Sequence, residues 1–431
     1  MLIQFSVKNY KTFKERTTLS LVASSYDKET REDDNVISDS KSGLRLLKSA
    51  AIYGANASGK SKFVGAMQFM KQFVTTSSKE TQNGDKIPVT PFMLDSNSEK
   101  EPIEFETIFI FNDVRYRYGF EVTNQIVVSE WLYQKPKTKE VALFFRSFQD
   151  FDINIRKFSK GNTVYKEGLI RDNALMISVA AQFNDIVSTN ILNWFKEVRF
   201  LSGLKEERYL GYTISKLEQP KYKRQILSLL NAADLSIQDV HPEIVNVEDL
   251  PQEMKDMIDD KSMLGKANFF SDTITTHKKY DQNKKRIGEV TFSMDDDESS
   301  GTRKFFGLTG PILDTLEKGY TLFVDELDSK LHPNLVYKIV SLFNSKTHNS
   351  KNAQLIFNTH DTNLLSSGIF RKDQVWFTEK DKYGVASLYS LADFKSSDVR
   401  KNEAYEDNYL RGKYGAVPFL AFFDDLIHHK P

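Results

Sequence analysis

The sequence predicts an α/β fold: a parallel sheet carrying a phosphate-binding loop, preceded by an antiparallel meander and interrupted by a mostly helical insertion. Three observations carry this. Residues 49–63, SAAIYGANASGKSKF, read as strand, glycine loop and helix in immediate succession. Residues 103–133 contain three alternating apolar and polar segments separated by short turns at Asn112-Asp113 and Thr123-Asn124, the pattern of a half-exposed antiparallel sheet. Residues 320–326 and 354–360 are apolar runs that each end in side chains able to do chemistry, Asp325-Glu326 and His360.

The loop is the most specific signal. Gly54-Ala55-Asn56-Ala57-Ser58-Gly59-Lys60-Ser61 fits G-x-x-x-x-G-K-[ST]. The apolar run before it (residues 50–53) is a buried strand, and Phe63, Met67, Met70, Phe73 and Val74 continue after it at helical spacing. Successive loop N–H groups and a helix N-terminus form a nest for phosphate oxygens. The lysine reaches the outer phosphates as a point charge, and the serine offers its hydroxyl to Mg²⁺.

Composition excludes more than it identifies. The chain has 431 residues, 59 Lys+Arg against 59 Asp+Glu, and a formal net charge of zero, so nothing global attracts nucleic acid or an anionic membrane. There is no cysteine, hence no disulfide and no thiolate metal site. No apolar run approaches the roughly 18 residues of a membrane span, and MLIQFSVKNYKTF alternates like a strand rather than like a signal peptide. The expectation is a cytoplasmic protein without a membrane partner. Length suggests about two to three domains.

Taken in order, residues 2–7 and 19–22 read as strands, 25–43 as a polar loop, and 61–76 as the loop helix. Residues 77–102 are broken by Pro88, Pro91 and Pro102. The meander follows. Residues 174–197 read as one helix, and 210–235 as helix interrupted by Pro220. Residues 236–290 mix polar loops with short strand candidates and contain the basic run KKYDQNKKR, which reads most simply as a solvated turn. The expected division is 1–145, an N-terminal lobe with the loop and meander; 146–290, a mainly helical insertion; and 291–431, a C-terminal lobe.

The C-terminal lobe supplies the second half of the chemistry. Ser299-Ser300-Gly301-Thr302 opens a helix reaching about residue 316, and Gly319 ends it. The strand at 320–326 ends in two carboxylates. Beside a phosphate loop, the first such group supports Mg²⁺ and the second is placed to accept a proton from attacking water. Ligands of open α/β sheets sit at the carboxyl edge, where Gly54–Ser61, Asp325, Glu326 and His360 would converge. Singly these are weak signals: acidic residues commonly cap helices, and a lone histidine after a strand is usually structural. Their joint occurrence in this order carries the weight.

With those residues in view, the chain resembles an ABC-type ATPase head (a P-loop NTPase) in the order of the SMC and OLD-family ATPases. It is more closely similar to the AAA-type, ABC-like ATPases of bacterial phage-defence systems, of the AbiL, RloA and PARIS AriA kind. FSVKNYKTF, GANASGKS, ESSGTRKFF, FVDELDSKLHP, FNTHD, RKDQVWFTEKD, LYSLADF and YLRGKYGAVPFL carry that likeness. The resemblance implies ATP and Mg²⁺ as cofactors, with Lys60 and Ser61 on phosphate and metal, Asp325 supporting the metal, Glu326 polarising the water, and His360 at the γ-phosphate. It further implies that Ser299, Ser300, Gly301 and Thr302 cap ATP bound to a second protomer. Asp328 would lie near the seam of a homodimer or higher homo-oligomer, and Asn9 to Phe13 would approach the nucleotide. The segment departs from the transporter-like Leu-Ser-Gly-Gly-Gln, and no glutamine between 80 and 130 stands out as a Q-loop.

Two functions compete on this reading. One is a slow ATPase that senses a trigger and holds a separate effector, a TOPRIM- or RloB-like nuclease or a toxin, in abortive infection. The other is an SMC/OLD-like DNA-repair ATPase acting directly on nucleic acid. A fused nuclease would need roughly 100 further residues; the D-x-D spacings at 150–152 and 295–297 precede the carboxylate strand and lack a partner, so none is expected. A transporter subunit would be shorter and without the insertion.

Overall fold

The computed structural model describes residues 1–39, 41–137, 139–204, 207–233, 235–246, 268–395 and 403–418. The chain forms two compact units, the first from residues 1–201, 318–327 and those described from 337 onward, the second from residues 202–317 and 328–336.

The first unit contains a six-stranded sheet in the order Arg199–Ser202, Thr321–Asp325, Gln354–Asn358, Ser49–Gly54, Val375–Lys380, Ala386–Ser390. From Thr321–Asp325 to Val375–Lys380 the neighbours are parallel, and Ala386–Ser390 turns back antiparallel. Parallel strands buried on both faces need apolar side chains on both, which is why SAAIYG and QLIFN are buried at every position. The strand carrying His360 is inserted between the loop strand and the carboxylate strand.

A seven-stranded antiparallel sheet holds the meander: Ile103–Phe111, Val114–Val122 and Val127–Lys135 pair in sequence order, with Leu2–Lys8 added beyond the first. The helix Lys60–Thr76 contributes to the core that both sheets share. It buries Phe63, Met67, Met70, Phe73 and Val74 as its spacing predicts. Phe63 meets Phe5 edge-on at 5.3 Å between ring centroids, and Phe69 lies 5.1 Å from Phe105. Aromatic pairs of this geometry add about 0.5–1.5 kcal/mol each beyond burial.

Several elements differ from the sequence expectation. The segment 25–43 is not all loop: Val36–Asp39 pairs with Leu44–Leu47, because Val36, Ile37, Leu46 and Leu47 find apolar surroundings. The single helix over 174–197 is two, Met176–Gln182 and Ile186–Glu197. Asn184 takes φ 60° between them, and the Asp185 carboxylate accepts the Ser188 N–H at 2.8 Å, the geometry of a fresh N-cap. The stretch from 236 onward forms a three-stranded antiparallel sheet in the second unit, Ile237–Asn246, Asn268–Tyr280 and Arg286–Ser293. Residues 146–290 therefore mix helix and sheet, and the compact second unit begins at 202 rather than 146.

Candidate functional site

At the carboxyl edge of the parallel strands a cleft of about 320 Å³ is lined by loop residues 56–62 together with Thr12, Glu326, His360 and Lys380. The strand pairing explains why they meet. Register places Gly54 opposite Thr378, and Ala51 opposite both Phe357 and Val375, so the loop, the end of Gln354–Asn358 and the end of Val375–Lys380 leave the sheet at one level.

The loop is held open by its own stereochemistry. Gly54 sits at φ 149°, and a Cβ there would lie 2.3 Å from the Thr378 carbonyl oxygen and 2.7 Å from Ser58 Oγ, so only glycine fits. Ser58 Oγ shares a 2.5 Å hydrogen bond with Thr378 Oγ1, fastening the loop to the neighbouring strand. Lys60 begins the helix and is only 6% exposed; its ammonium donates to the Gly54 carbonyl at 2.6 Å and to that of Ala55 at 3.0 Å. The cation is thereby stored against loop carbonyls within reach of the cleft.

The Asp325 carboxylate and the Glu326 backbone are held by a residue that sequence reasoning did not single out. Asn358, at the end of Gln354–Asn358 and 0% exposed, donates from Nδ2 to Asp325 Oδ1 and accepts the Glu326 N–H on Oδ1. Its own carbonyl accepts the Leu327 N–H at 3.2 Å. Glu326 adopts φ 56°, a left-handed conformation uncommon for a non-glycine residue, and the Asn358 contact holds it there. Glu326 lines the cleft, whereas Asp325 is not among its lining residues and is engaged one position back by Asn358. His360 is exposed and faces the cleft.

Thr12, Lys380 and Thr378 were likewise not picked out by name as site residues. Thr12 Oγ1 is buried at the cleft wall without a hydrogen-bond partner, and the Thr12 carbonyl accepts the Ala386 N–H at 2.7 Å. The only prior signal was the placement of Asn9 to Phe13 near a nucleotide. A buried polar residue closing an otherwise apolar strand, as in FN-TH, is the signal that could have found Asn358.

The residues fit a nucleoside triphosphate: a glycine cradle, a buried ammonium at its mouth, an orphaned hydroxyl on the wall. Among the described residues no group of three or more His, Asp or Glu side chains could hold a metal unaided. Mg²⁺ in nucleotide sites is ordinarily held by one or two protein oxygens and substrate phosphates. Ser61 lines the cleft, and the strand one place removed from the loop strand ends at Asp325, with Glu326 following it.

The second unit holds the Ser299–Thr302 segment. Ser299 Oγ accepts the Thr302 N–H at 3.0 Å and contacts Thr302 Oγ1 at 2.9 Å, capping helix Ser300–Lys318. A Cβ on Gly301 would come within 2.9 Å of the Lys330 carbonyl oxygen, and Lys304 donates to the Ser329 carbonyl. The segment and the Asp328–Lys330 turn are thus packed together. Glu298, just before it, accepts from Thr275 Oγ1 at 2.7 Å and contacts His277 Nε2 at 2.7 Å.

A parallel sheet with a phosphate loop, its helix, and a carboxylate strand one place removed defines a P-loop NTPase. The chain belongs to the family described as "AAA domain, putative AbiEii toxin, Type IV TA system", whose model matches residues 49–366. Among solved structures it is similar to the SMC head domain from Thermotoga maritima, at 14% identity and a TM-score of 0.40, covering 90% of this chain and 98% of that one. No curated protein sequence matches it. Among the described residues, no helix is long and apolar enough to cross a membrane.

Proposed function

We propose that the chain is a Mg²⁺-dependent ATPase that closes as a homodimer around ATP and acts as sensor and scaffold for a separate effector in defence against phage. The observation that carries the ATPase reading is one cleft lined by residues 56–62, Glu326 and His360. The family description, with its toxin and toxin–antitoxin terms, supports the defence role.

In this reading ATP supplies the phosphoryl group and Mg²⁺ neutralises its charge. Lys60, already buried at the loop, exchanges the Gly54 and Ala55 carbonyls for the outer phosphates. Loop N–H groups complete the anion nest. Glu326 accepts the proton of the attacking water, its backbone fixed by Asn358, and Asp325 supports the metal. His360 binds the γ-phosphate. Ser299 and Ser300, exposed in the second unit, and the half-buried Gly301 cap nucleotide bound to the partner protomer, with the buried Thr302 behind them and Asp328 at the seam. Turnover is slow, since a switch needs a persistent bound state.

The test is the Glu326→Gln variant with MgATP in light scattering after size exclusion. A nucleotide-dependent dimer is expected. A mass unchanged by ATP, with binding intact, overturns the closed-dimer reading.

A further inference from the structure

The basic run KKYDQNKKR, which reads as a mere turn in the sequence, is the tip of the hairpin between Asn268–Tyr280 and Arg286–Ser293. Its shape is fixed. The Asp281 N–H donates to the Lys285 carbonyl at 2.9 Å, Lys284 sits at φ 62°, and Asp281 Oδ1 accepts the N–H groups of Asn283 at 2.9 Å and Lys285 at 2.8 Å. The one acidic side chain between 277 and 287 is therefore occupied by the turn itself.

The cations are not so occupied. Lys278, Lys279, Lys284 and Lys285 are exposed, and among the described residues none has a carboxylate within ion-pair distance; Arg286 alone is paired, with Glu289 at 2.7 Å. Four unneutralised charges on one ordered tip produce a local field that the zero net charge of the chain conceals. Tyr280 stands among them, 53% exposed.

Beside the tip lies a polar cavity of about 240 Å³, lined by Asn231, Ser236, Gln238, His277, Lys278 and Tyr280. Two amides, a hydroxyl, an imidazole and an ammonium offer donors and acceptors on several sides, next to an aromatic ring. A cavity of this size admits one unstacked nucleobase.

We propose that this hairpin binds a single-stranded nucleic acid, with phosphates along Lys278, Lys284 and Lys285 and one base taken on Tyr280 into the adjoining cavity. Sequence-tolerant single-strand binding combines these two parts, a cationic track and an aromatic platform. A duplex keeps its bases stacked and leaves ring and cavity unused. An acidic peptide would use the lysines and neither of the other features.

The site is tested by fluorescence anisotropy of the full chain with a labelled 20-mer of oligodeoxythymidine, across a salt series. Binding is expected, weakening with salt. K278Q/K284Q/K285Q should lower the slope of log K against log salt by about 2, three phosphate contacts at about 0.7 each for single strands. Tyr280→Ala should weaken binding about tenfold to hundredfold with the slope unchanged. Equal binding by the triple variant overturns the proposal, as does displacement of the oligonucleotide by poly-glutamate as readily as by unlabelled oligonucleotide. Tighter binding of the corresponding duplex overturns the single-strand assignment. None of these readouts depends on ATP hydrolysis, so a chain without ATPase activity would sink the preceding section and leave this one standing.

Discussion

The two units of this protein present polar chemistry in opposite ways. In the first, the decisive groups are buried or half-buried at a sheet edge: Lys60, Thr378 and Asn358 are each buried and each hydrogen-bonded to the loop or strand it positions. In the second, Ser299, Ser300 and the lysines of the 278–285 tip are exposed, held in place by backbone turns and caps. On the functions proposed above, the difference matches two tasks. Phosphoryl transfer demands donors fixed before the substrate arrives, in surroundings that exclude water. Recognition of a second macromolecule demands groups that water and partner can both reach.

That contrast can be broken at graded points. The largest expected effect is on turnover: Glu326→Gln should lower kcat about 10²- to 10⁴-fold, the usual worth of a positioned base, with ATP affinity retained. A phosphate-release assay beside calorimetric binding checks it, and parent-like turnover would remove Glu326 as the base. Lys60→Ala should weaken ATP binding by about 3 kcal/mol, some two powers of ten in Kd, from loss of charge-assisted hydrogen bonds. Titration calorimetry reads this directly; unaltered affinity would detach the cleft from nucleotide binding.

Asn358→Ala tests whether burial of the positioning group matters. It leaves the Glu326 N–H and Asp325 without their partner, a deficit of about 1–3 kcal/mol, expected in kcat rather than in the Kd for ATP. A change confined to Kd would assign Asn358 to ligand contact instead. The smallest effect falls in the second unit. Gly301→Ala pushes a Cβ toward the Lys330 carbonyl 2.9 Å away, so turnover should fall about tenfold, while ATP binding to the isolated protomer stays as in the parent. One factor of ten is about 1.4 kcal/mol, a plausible size for a small backbone displacement. Parent-like turnover at all protein concentrations would argue against a site shared between protomers.

Much of the first unit was legible in the residues because its signals are local. The GANASGKS loop needs glycine at Gly54 because of the close approach of Thr378. The period of Phe63, Met67, Met70 and Phe73 matches the face that is buried. Loop and helix are adjacent in sequence, so spacing alone could find them. The break at 183–185 was missed because the apolar period continues through it; only the Asp185 cap reveals the second helix. The sheet of 237–293 was legible only as short strand candidates among polar loops, for another reason. Its central strand, Asn268–Tyr280, carries three threonines, a histidine and two lysines, so the alternation of apolar residues that usually signals a strand is weak along it.

By itself the sequence determined the chemistry available: a phosphate loop, a carboxylate pair, a histidine after a strand, and a capped Ser-Ser-Gly-Thr helix. These follow from side-chain type and short-range spacing, which one chain segment fully encodes. Tertiary structure alone decided which of them meet. Inserting Gln354–Asn358 between the loop strand and the carboxylate strand brings Asn358 to Asp325 and Glu326 across more than thirty residues of chain, and pairing Val375–Lys380 with Ser49–Gly54 brings Thr378 to Ser58 across 320. Hydrogen bonds formed over such separations depend on strand order, and strand order is a property of the packed sheet rather than of any segment within it.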